Sequence, residues 1–200
     1  FVMPGLVEAH CHLFLNGAEL NFQARSDYLN APLDDMLQTA TDNVKASLDS
    51  GITLIRDAGD RFGVNHSVRK KFNSFGNGPT IRSPGQGLRQ PKKYGAFMAR
   101  EVSDKQEIIE AISEAATSAD DLKILLTGII DFEAGAVSNS LQFDLDNLKL
   151  MVKLAAENGL KTFARCSGLE GLEIAVEAGV DSIEHGFFMN ETVLDVMAEK

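Results

Sequence analysis

The strongest constraint on the fold is a repeated order in which a short apolar run is followed by an amphipathic helix. Six such runs predict strands at residues 6–11, 53–56, 80–83, 122–126, 162–165 and 182–185. Helical spacing of apolar residues predicts helices at 32–50, 65–75, 104–119, 144–159 and 169–178, with a last helix starting near 190. No hairpin signal separates these units, so the order predicts an α/β fold with a parallel sheet wound in one hand.

Two architectures fit this order of elements, namely an open doubly wound sheet and a (β/α)₈ TIM barrel. A complete barrel needs about 250 residues, so six βα units in 200 residues would form about three quarters of one. Long loops are predicted at 84–100 and 127–143, and no low-complexity stretch or linker interrupts the chain. We therefore expect residues 1–200 to form a single, partial barrel domain.

The composition and charge of the chain argue against several classes of function. The 19 Lys and Arg residues against 29 Asp and Glu residues give a net charge of −10, which disfavours binding to nucleic acid. No apolar run approaches the roughly 18 to 20 residues that span a bilayer, so no membrane association is expected. Two cysteines are too few for a disulfide framework and favour a reducing, cytoplasmic location. Because the chain opens Phe-Val-Met-Pro, we expect a fragment of a longer protein.

Two histidines lie at the carboxyl end of the first predicted strand, in the sequence His10-Cys11-His12. Strand alternation places His10 and His12 on one face and Cys11 on the other. Two adjacent imidazoles can share a divalent metal, or they can be a hydrogen-bonded structural pair. The short motif alone gives both readings equal weight.

Two further residues could take part in chemistry at the same end of the sheet. Lys123 lies inside an apolar strand, where a lysine must find a partner, reach a strand end, or lose its proton and react with carbon dioxide to form a carbamate. His185 ends the sixth predicted strand, at the position where barrel enzymes place catalytic groups. Together with His10 and His12, these residues favour a metal site.

Three segments resemble the amidohydrolase superfamily of metal-dependent hydrolases. Residues 4–13 (Pro-Gly-Leu-Val-Glu-Ala-His-Cys-His-Leu) resemble the family's first strand, and residues 51–59 resemble its second. Residues 179–186 (Gly-Val-Asp-Ser-Ile-Glu-His-Gly) resemble its sixth strand, in the branch that includes imidazolonepropionase-like and prolidase-like members. The resemblance implies a distorted (β/α)₈ barrel whose one or two divalent metals, usually zinc, activate water against an amide-like bond.

The family's roles carry over to four residues of this chain. His10 and His12 would be ligands of the more buried metal, Lys123 the carboxylated bridge between metals, and His185 a ligand of the more exposed metal. Lys123 and His185 are therefore the expected catalytic residues. The expected substrate is a small molecule with a non-peptide amide or cyclic amide bond, dipeptide-like compounds included.

The sequence departs from the family pattern in two places. Arg165 stands where the family's fifth strand carries a metal-binding histidine, and a guanidinium has no lone pair to donate. The catalytic aspartate of the family's eighth strand is absent from these 200 residues. We therefore expect at most one metal per chain. The alternative function is a catalytically inactive fragment or pseudoenzyme that serves in binding or assembly.

Two expectations concern contacts with other molecules. Arg56, Tyr94 and Arg165 are candidate substrate-binding residues, although an ion pair with the neighbouring Asp57 would also explain Arg56 and an exposed loop tip would explain Tyr94. A barrel that lacks strands leaves its first and sixth strands as open edges. A homo-oligomer or a missing complementary segment is therefore expected.

Overall fold

The computed structural model describes residues 1–76, 78–138 and 141–199. Its chain divides into two compact units, Phe1–Gln86 and Gly87–Lys200. Each unit contains its own parallel sheet, and all six predicted strands are present.

The first unit is a three-stranded parallel sheet with three helices. Its strands are β1 (Leu6–Cys11), β2 (Ile52–Asp57) and β3 (Thr80–Arg82), hydrogen-bonded in that order. Its helices are α1 (Phe22–Tyr28), α2 (Leu33–Asp49) and α3 (Val64–Phe75). Met36, Ala40 and Val44 recur at helical spacing on α2 and are fully buried, which explains why this face packs inward. β1 lies at the sheet edge, where Leu6 and Val7 are exposed.

The second unit contains seven strands and four helices among the described residues. The elements in chain order are β4 (Gly87–Arg89), β5 (Ala99–Glu101), α4 (Lys105–Ala115), β6 (Asp121–Leu125), β7 (Ile130–Asp131), β8 (Ala136–Val137), α5 (Leu145–Glu157), β9 (Lys161–Cys166), α6 (Leu169–Ala178), β10 (Ser182–His185) and α7 (Glu191–Glu199). Five of the strands form a parallel sheet in the order β10-β9-β6-β4-β5, and β7 and β8 form a small antiparallel pair. Asp104 and Asp144 cap α4 and α5 by accepting backbone N–H bonds.

Strand alternation decides which side chains of this sheet enter the main core. Leu122 and Ile124 of β6, together with Ala164 and Cys166 of β9, pack with the helices in one buried cluster. Lys123, Leu125, Phe163 and Arg165 occupy the intervening positions and therefore face the other side of the sheet. The polar residues of interest are thus separated from the helix layer.

The structure corrects the prediction of two long loops. Residues 84–100 contain β4 and the first two residues of β5, and residues 127–138 contain β7 and β8. The glycine and proline content of 84–100 indicates a loop, but Gly87 allows the backbone to approach β6 closely. A Cβ at residue 87 would lie 2.9 Å from Lys123 Cγ. This close approach lets Leu88 pair with Ile124.

Smaller differences concern the helices. The helix α1 was not predicted, and Asn21 begins it by accepting a bond from the N–H of Ala24. The helix predicted at 104–119 ends at Ala115. The backbone N–H groups of Thr117 and Ser118 donate to the carbonyls of Glu114 and Ala115, three residues earlier in each case, so the chain leaves the α-helical hydrogen-bond pattern. No helix in the described part of the chain is long and apolar enough to cross a membrane.

Candidate active site

His10 and His12 come together at the carboxyl end of β1. Their rings meet edge to face, with centroids 5.8 Å apart and planes at 82°. His12 Nδ1 lies 2.8 Å from the carbonyl oxygen of Gly59, in the loop that follows β2. The expected pairing of the two imidazoles on one side of β1 is therefore present.

The hydrogen bond of His12 sets its tautomer. A carbonyl oxygen can only accept, so Nδ1 carries the hydrogen, and in the neutral ring the lone pair lies on Nε2. Metal-ligating histidines commonly have this arrangement, in which a backbone carbonyl holds one ring nitrogen and the other faces the metal. His12 thus has the tautomer that metal-ligating histidines commonly have.

Asp57 holds the loop that positions His12. Its carboxylate accepts hydrogen bonds from the backbone N–H of Leu13 (2.9 Å) and of Gly59 (2.7 Å), and from Asn65 Nδ2 (3.3 Å). The side chain is fully buried. Burial raises the pKa of Asp57 to about 7, and the nearby Asp60 carboxylate adds to this rise. The three hydrogen-bond donors oppose this rise in the pKa of Asp57. They take the place of solvating water around the carboxylate and fix the geometry of the loop.

Asp60 also fixes the loop that follows β2. It accepts bonds from the N–H groups of Phe62, Val64 and Asn65 and so caps the start of α3. Burial raises its pKa. Sequence reasoning placed Asp57 at the end of the second strand, beside the mouth of the site, but it did not identify Asp60 or the loop-fixing role of either aspartate. The available signal was two carboxylates placed three residues apart directly after an apolar strand.

A cavity of about 560 Å³ lies beside the two histidines within the first unit. Its lining includes His10, His12, Asn43 and Ile52. Asn43 donates to the carbonyls of Leu13 and Leu15, at 2.9 Å each, and thereby fixes the segment after β1. The imidazoles therefore face a space large enough for a small molecule.

Cys11 and Arg56 play structural parts around the end of β1. Burial raises the pKa of the Cys11 thiol well above its usual range, and Asp57 adds to this rise, so the neutral thiol is favoured. Arg56 donates from Nε to the carbonyl of Ala9 at 2.9 Å, which ties β2 to β1. Its predicted role in substrate binding stays a prediction.

Lys123 is fully buried on β6 in the second unit. Its Nζ lies 4.6 Å from the ring centroid of Phe163, the residue paired with it on β9. The missing side chain at Gly87 makes room for the Lys123 stem. The side chain is thus deep inside the unit, which excludes the alternative that its stem reaches solvent at a strand end.

Arg165 and Tyr94 form a stacked pair in the second unit. Arg165 is 8% exposed, and its Cζ lies 4.9 Å from the centroid of the Tyr94 ring. Its Nη1 is buried and has no hydrogen-bond partner in the described residues. Two of the three candidate substrate-binding residues are therefore brought together, and Tyr94 is not merely an exposed loop tip.

His185 ends β10 with an exposed side chain and a left-handed backbone, φ 74°. It pairs in register with Cys166, and Glu184 pairs with Arg165. Glu184 is buried and accepts a hydrogen bond of 2.8 Å from Ser182 Oγ. The strained backbone turns the chain directly after β10, which is a feature found at functional sites.

The described residues offer few metal ligands. No group of three or more His, Cys, Asp or Glu side chains within residues 1–76, 78–138 and 141–199 is arranged to hold a metal ion. His10 and His12 supply two imidazoles, and the tautomer of His12 leaves a lone pair on Nε2. Arg165, on β9, has no lone pair to donate. The number of metals that the chain holds therefore stays a prediction.

Comparisons with known proteins agree with this fold. The model of the Amidohydrolase family matches residues 1–199. An uncharacterized protein of Mycobacterium tuberculosis is 27% identical over 199 residues, which cover all of this chain and 48% of the relative. The chain thus spans about half the length of the curated relatives it matches.

Solved structures match the fold across nearly the whole chain. A Xaa-Pro dipeptidase with methionine bound in its active site is 26% identical, with a TM-score of 0.78 over 98% of this chain and 51% of that chain. The ochratoxinase of A. niger is 22% identical, with a TM-score of 0.80 over 99% of this chain and 50% of that chain. These matches confirm the predicted fold class, an α/β barrel of which this chain holds a part.

Proposed function

The chain belongs to the amidohydrolase family, and from this premise we propose that it hydrolyses carbon–nitrogen bonds in small molecules. The proposed substrates are non-peptide amides and cyclic amides, dipeptide-like compounds included. Solved proteins of similar fold include a Xaa-Pro dipeptidase, an ochratoxinase and a phenylurea hydrolase. The single observation that carries the proposal is the His10–His12 pair, with His12 oriented by Gly59 at the edge of a cavity.

We propose that a single divalent metal, with zinc the expected ion, is held by His10 and His12. When bound, such a metal polarises a carbonyl oxygen as a Lewis acid. Asp57 contributes by holding the loop on which Gly59 orients the His12 ring. Imidazole ligands also suit iron, nickel and copper, so the protein's own contribution is the geometry of the two rings.

Lys123 and His185 are proposed as the other functional residues, because they occupy the family's motif positions on the fourth and sixth predicted strands. A neutral Lys123 amine would add to carbon dioxide, forming a new N–C bond and releasing one proton, and the resulting carbamate would be an anionic ligand. The His185 imidazole lies at an exposed strand end, and we propose that it holds or delivers a proton there.

The test is metal content measured together with hydrolysis. The purified chain is loaded with Zn²⁺, and bound metal is counted by mass spectrometry. Hydrolysis is then followed on N-acyl amino acids, a cyclic amide and a phenylurea. H10A and H12A are expected to lose bound metal and hydrolysis together. The control H66A removes the remaining histidine of the first unit, whose Nδ1 lies 2.7 Å from Ser83 Oγ.

H66A is expected to keep its metal. Equal metal loss in all three variants would refute the assignment of His10 and His12. Bound metal without hydrolysis of any compound would instead favour the alternative that Arg165 suggests, an inactive chain with a role in binding or assembly. Self-association through open strand edges stays a prediction, and sedimentation of the same samples tests it.

A further inference from the structure

The second unit contains a buried cation whose hydrogen-bonding capacity is incompletely used. Arg165 is 8% exposed and forms no ion pair within the described part of the chain. Its Nη1 is buried without a hydrogen-bond partner there. A guanidinium remains protonated at any physiological pH, so this charge cannot be removed by loss of a proton. A buried charge without compensation is destabilising, so binding of an anion beside it is favoured.

Tyr94 and its loop hold the guanidinium in place from one side. The Arg165 Cζ lies 4.9 Å from the Tyr94 ring centroid, which is within the range of a cation–π contact. Gly95 lies directly on β6, because a Cβ there would overlap Leu125 Cδ2, and its φ is 106°. Only glycine allows the loop to approach β6 so closely.

The Tyr94 loop is fixed at several points, so the ring is preorganised. Gln142 Nε2 donates to the carbonyl of Tyr94 at 3.2 Å, and the N–H of Gln90 donates to Gln142 Oε1 at 3.1 Å. Arg89 donates to the carbonyl of Lys93 at 2.9 Å and to Glu101 Oε1 at 2.8 Å. These hydrogen bonds restrict the loop, so little conformational entropy is lost when a ligand binds beside Tyr94.

Two carboxylates of this unit have partners of their own. Glu184, the register partner of Arg165 on β10, accepts a hydrogen bond from Ser182 Oγ. Glu101 is engaged by Arg89. The buried Nη1 of Arg165 has no hydrogen-bond partner in the described residues, so it can donate to an anion from outside the chain.

We propose that Arg165 and Tyr94 form a carboxylate-binding site, at the position where the family carries a metal-ligating imidazole. The planar guanidinium matches a carboxylate through two parallel N–H donors, and the orphaned Nη1 supplies one of them. The ligand is either the carboxylate of an amide substrate or a small free carboxylate. The first case rests on the proposed function, whereas the second does not.

Three probes distinguish these cases, with binding measured by calorimetry on the full chain kept metal-free with the neutral chelator phenanthroline. N-acetylglycine carries a carboxylate and an amide, N-acetylglycinamide is its neutral match, and acetate is the carboxylate alone. The wild-type chain is expected to bind N-acetylglycine at least about tenfold more tightly than N-acetylglycinamide. Tighter binding of N-acetylglycine than of acetate indicates a substrate carboxylate, and equal binding indicates a free carboxylate.

The variant R165M is expected to bind the acid and its amide within about twofold of each other. The matched control R100M, which breaks an ion pair of 2.7 Å between Arg100 and Glu114, is expected to keep the wild-type preference. If R165M does not fold, R165K replaces it, since it keeps the charge and loses the paired donors. A wild-type chain without preference for the acid, or an unchanged preference in the Arg165 variant, overturns the proposal.

Because the chain is metal-free in these measurements, their outcome is independent of hydrolysis. Loss of the carboxylate preference leaves the proposed metal site standing, and an inactive chain can still bind the acid. The two proposals therefore fail separately.

Discussion

Asp57 offers the sharpest test of how the candidate site is held together. The carboxyl is fully buried, and burial raises its pKa from the ordinary value of 3.8 to about 7. Between these two pH values the folded chain binds more protons at this position than the unfolded chain does. The free energy of unfolding must therefore fall as pH rises from 3.8 to 7, and it levels off on either side.

The magnitude follows from the width of that window. At about 1.4 kcal/mol for each pH unit, ionisation of Asp57 costs the folded state on the order of 4 kcal/mol. D57N removes the ionisation and leaves one backbone donor facing an amide N–H, at a cost of about 1 to 3 kcal/mol at every pH. Wild type should therefore exceed D57N in stability at pH 4 and lose that advantage by pH 8.

Urea denaturation of both proteins at several pH values between 4 and 8 measures this difference directly. Asp60, whose pKa burial also raises, is present in both proteins, so the difference reports on Asp57. D35N, at an exposed position of α2, is the control and should change the free energy of unfolding by less than about 0.5 kcal/mol. A wild-type advantage over D57N that stays constant from pH 4 to pH 8 would refute the reasoning.

Three further substitutions test other parts of the structure. G95A should lower the free energy of unfolding by about 3 kcal/mol in a urea titration, because its Cβ would overlap Leu125 and the φ of residue 95 is 106°. The control G135A, with φ 62° and open space around it, should lower it by only about 1 kcal/mol. K123M should be at least as stable as wild type, because an apolar side chain fits this fully buried position, but it should lose hydrolysis. A loss of more than about 3 kcal/mol in the free energy of unfolding would show that Lys123 is structural. D104A should cost about 1 kcal/mol in thermal unfolding, because the Asp104 carboxylate accepts the N–H of Glu107 at the start of α4, and an unchanged melting temperature would contradict this capping role.

Much of the fold could be predicted because local patterns and tertiary packing agree. The apolar alternation at 122–126 places Lys123 opposite Leu122 and Ile124, and the structure has the same division. The helices begin close to the predicted residues because Asp104 and Asp144 are capping residues in sequence and in structure. These features depend on residues only a few positions apart.

The parts that escaped prediction depend on contacts between distant residues. The strand β4 exists because Gly87 packs against Lys123, 36 positions along the chain, and nothing local to residue 87 reveals that neighbour. The bond from Leu13 to Asp57 spans 44 positions, and that from His12 to Gly59 spans 47. The histidine motif was visible in the sequence, whereas the framework that orients it was not.

We propose that His10 and His12 hold one metal and that Arg165 prevents a second. Two like unit charges about 4 Å apart repel by about 4 kcal/mol at an effective dielectric constant of 20, and a doubly charged metal increases this cost. Zinc bound per chain, counted by mass spectrometry for wild type and R165H, tests the claim most directly. We expect at most one metal per wild-type chain and a rise towards two in R165H, whereas two metals in the wild-type chain would contradict the account.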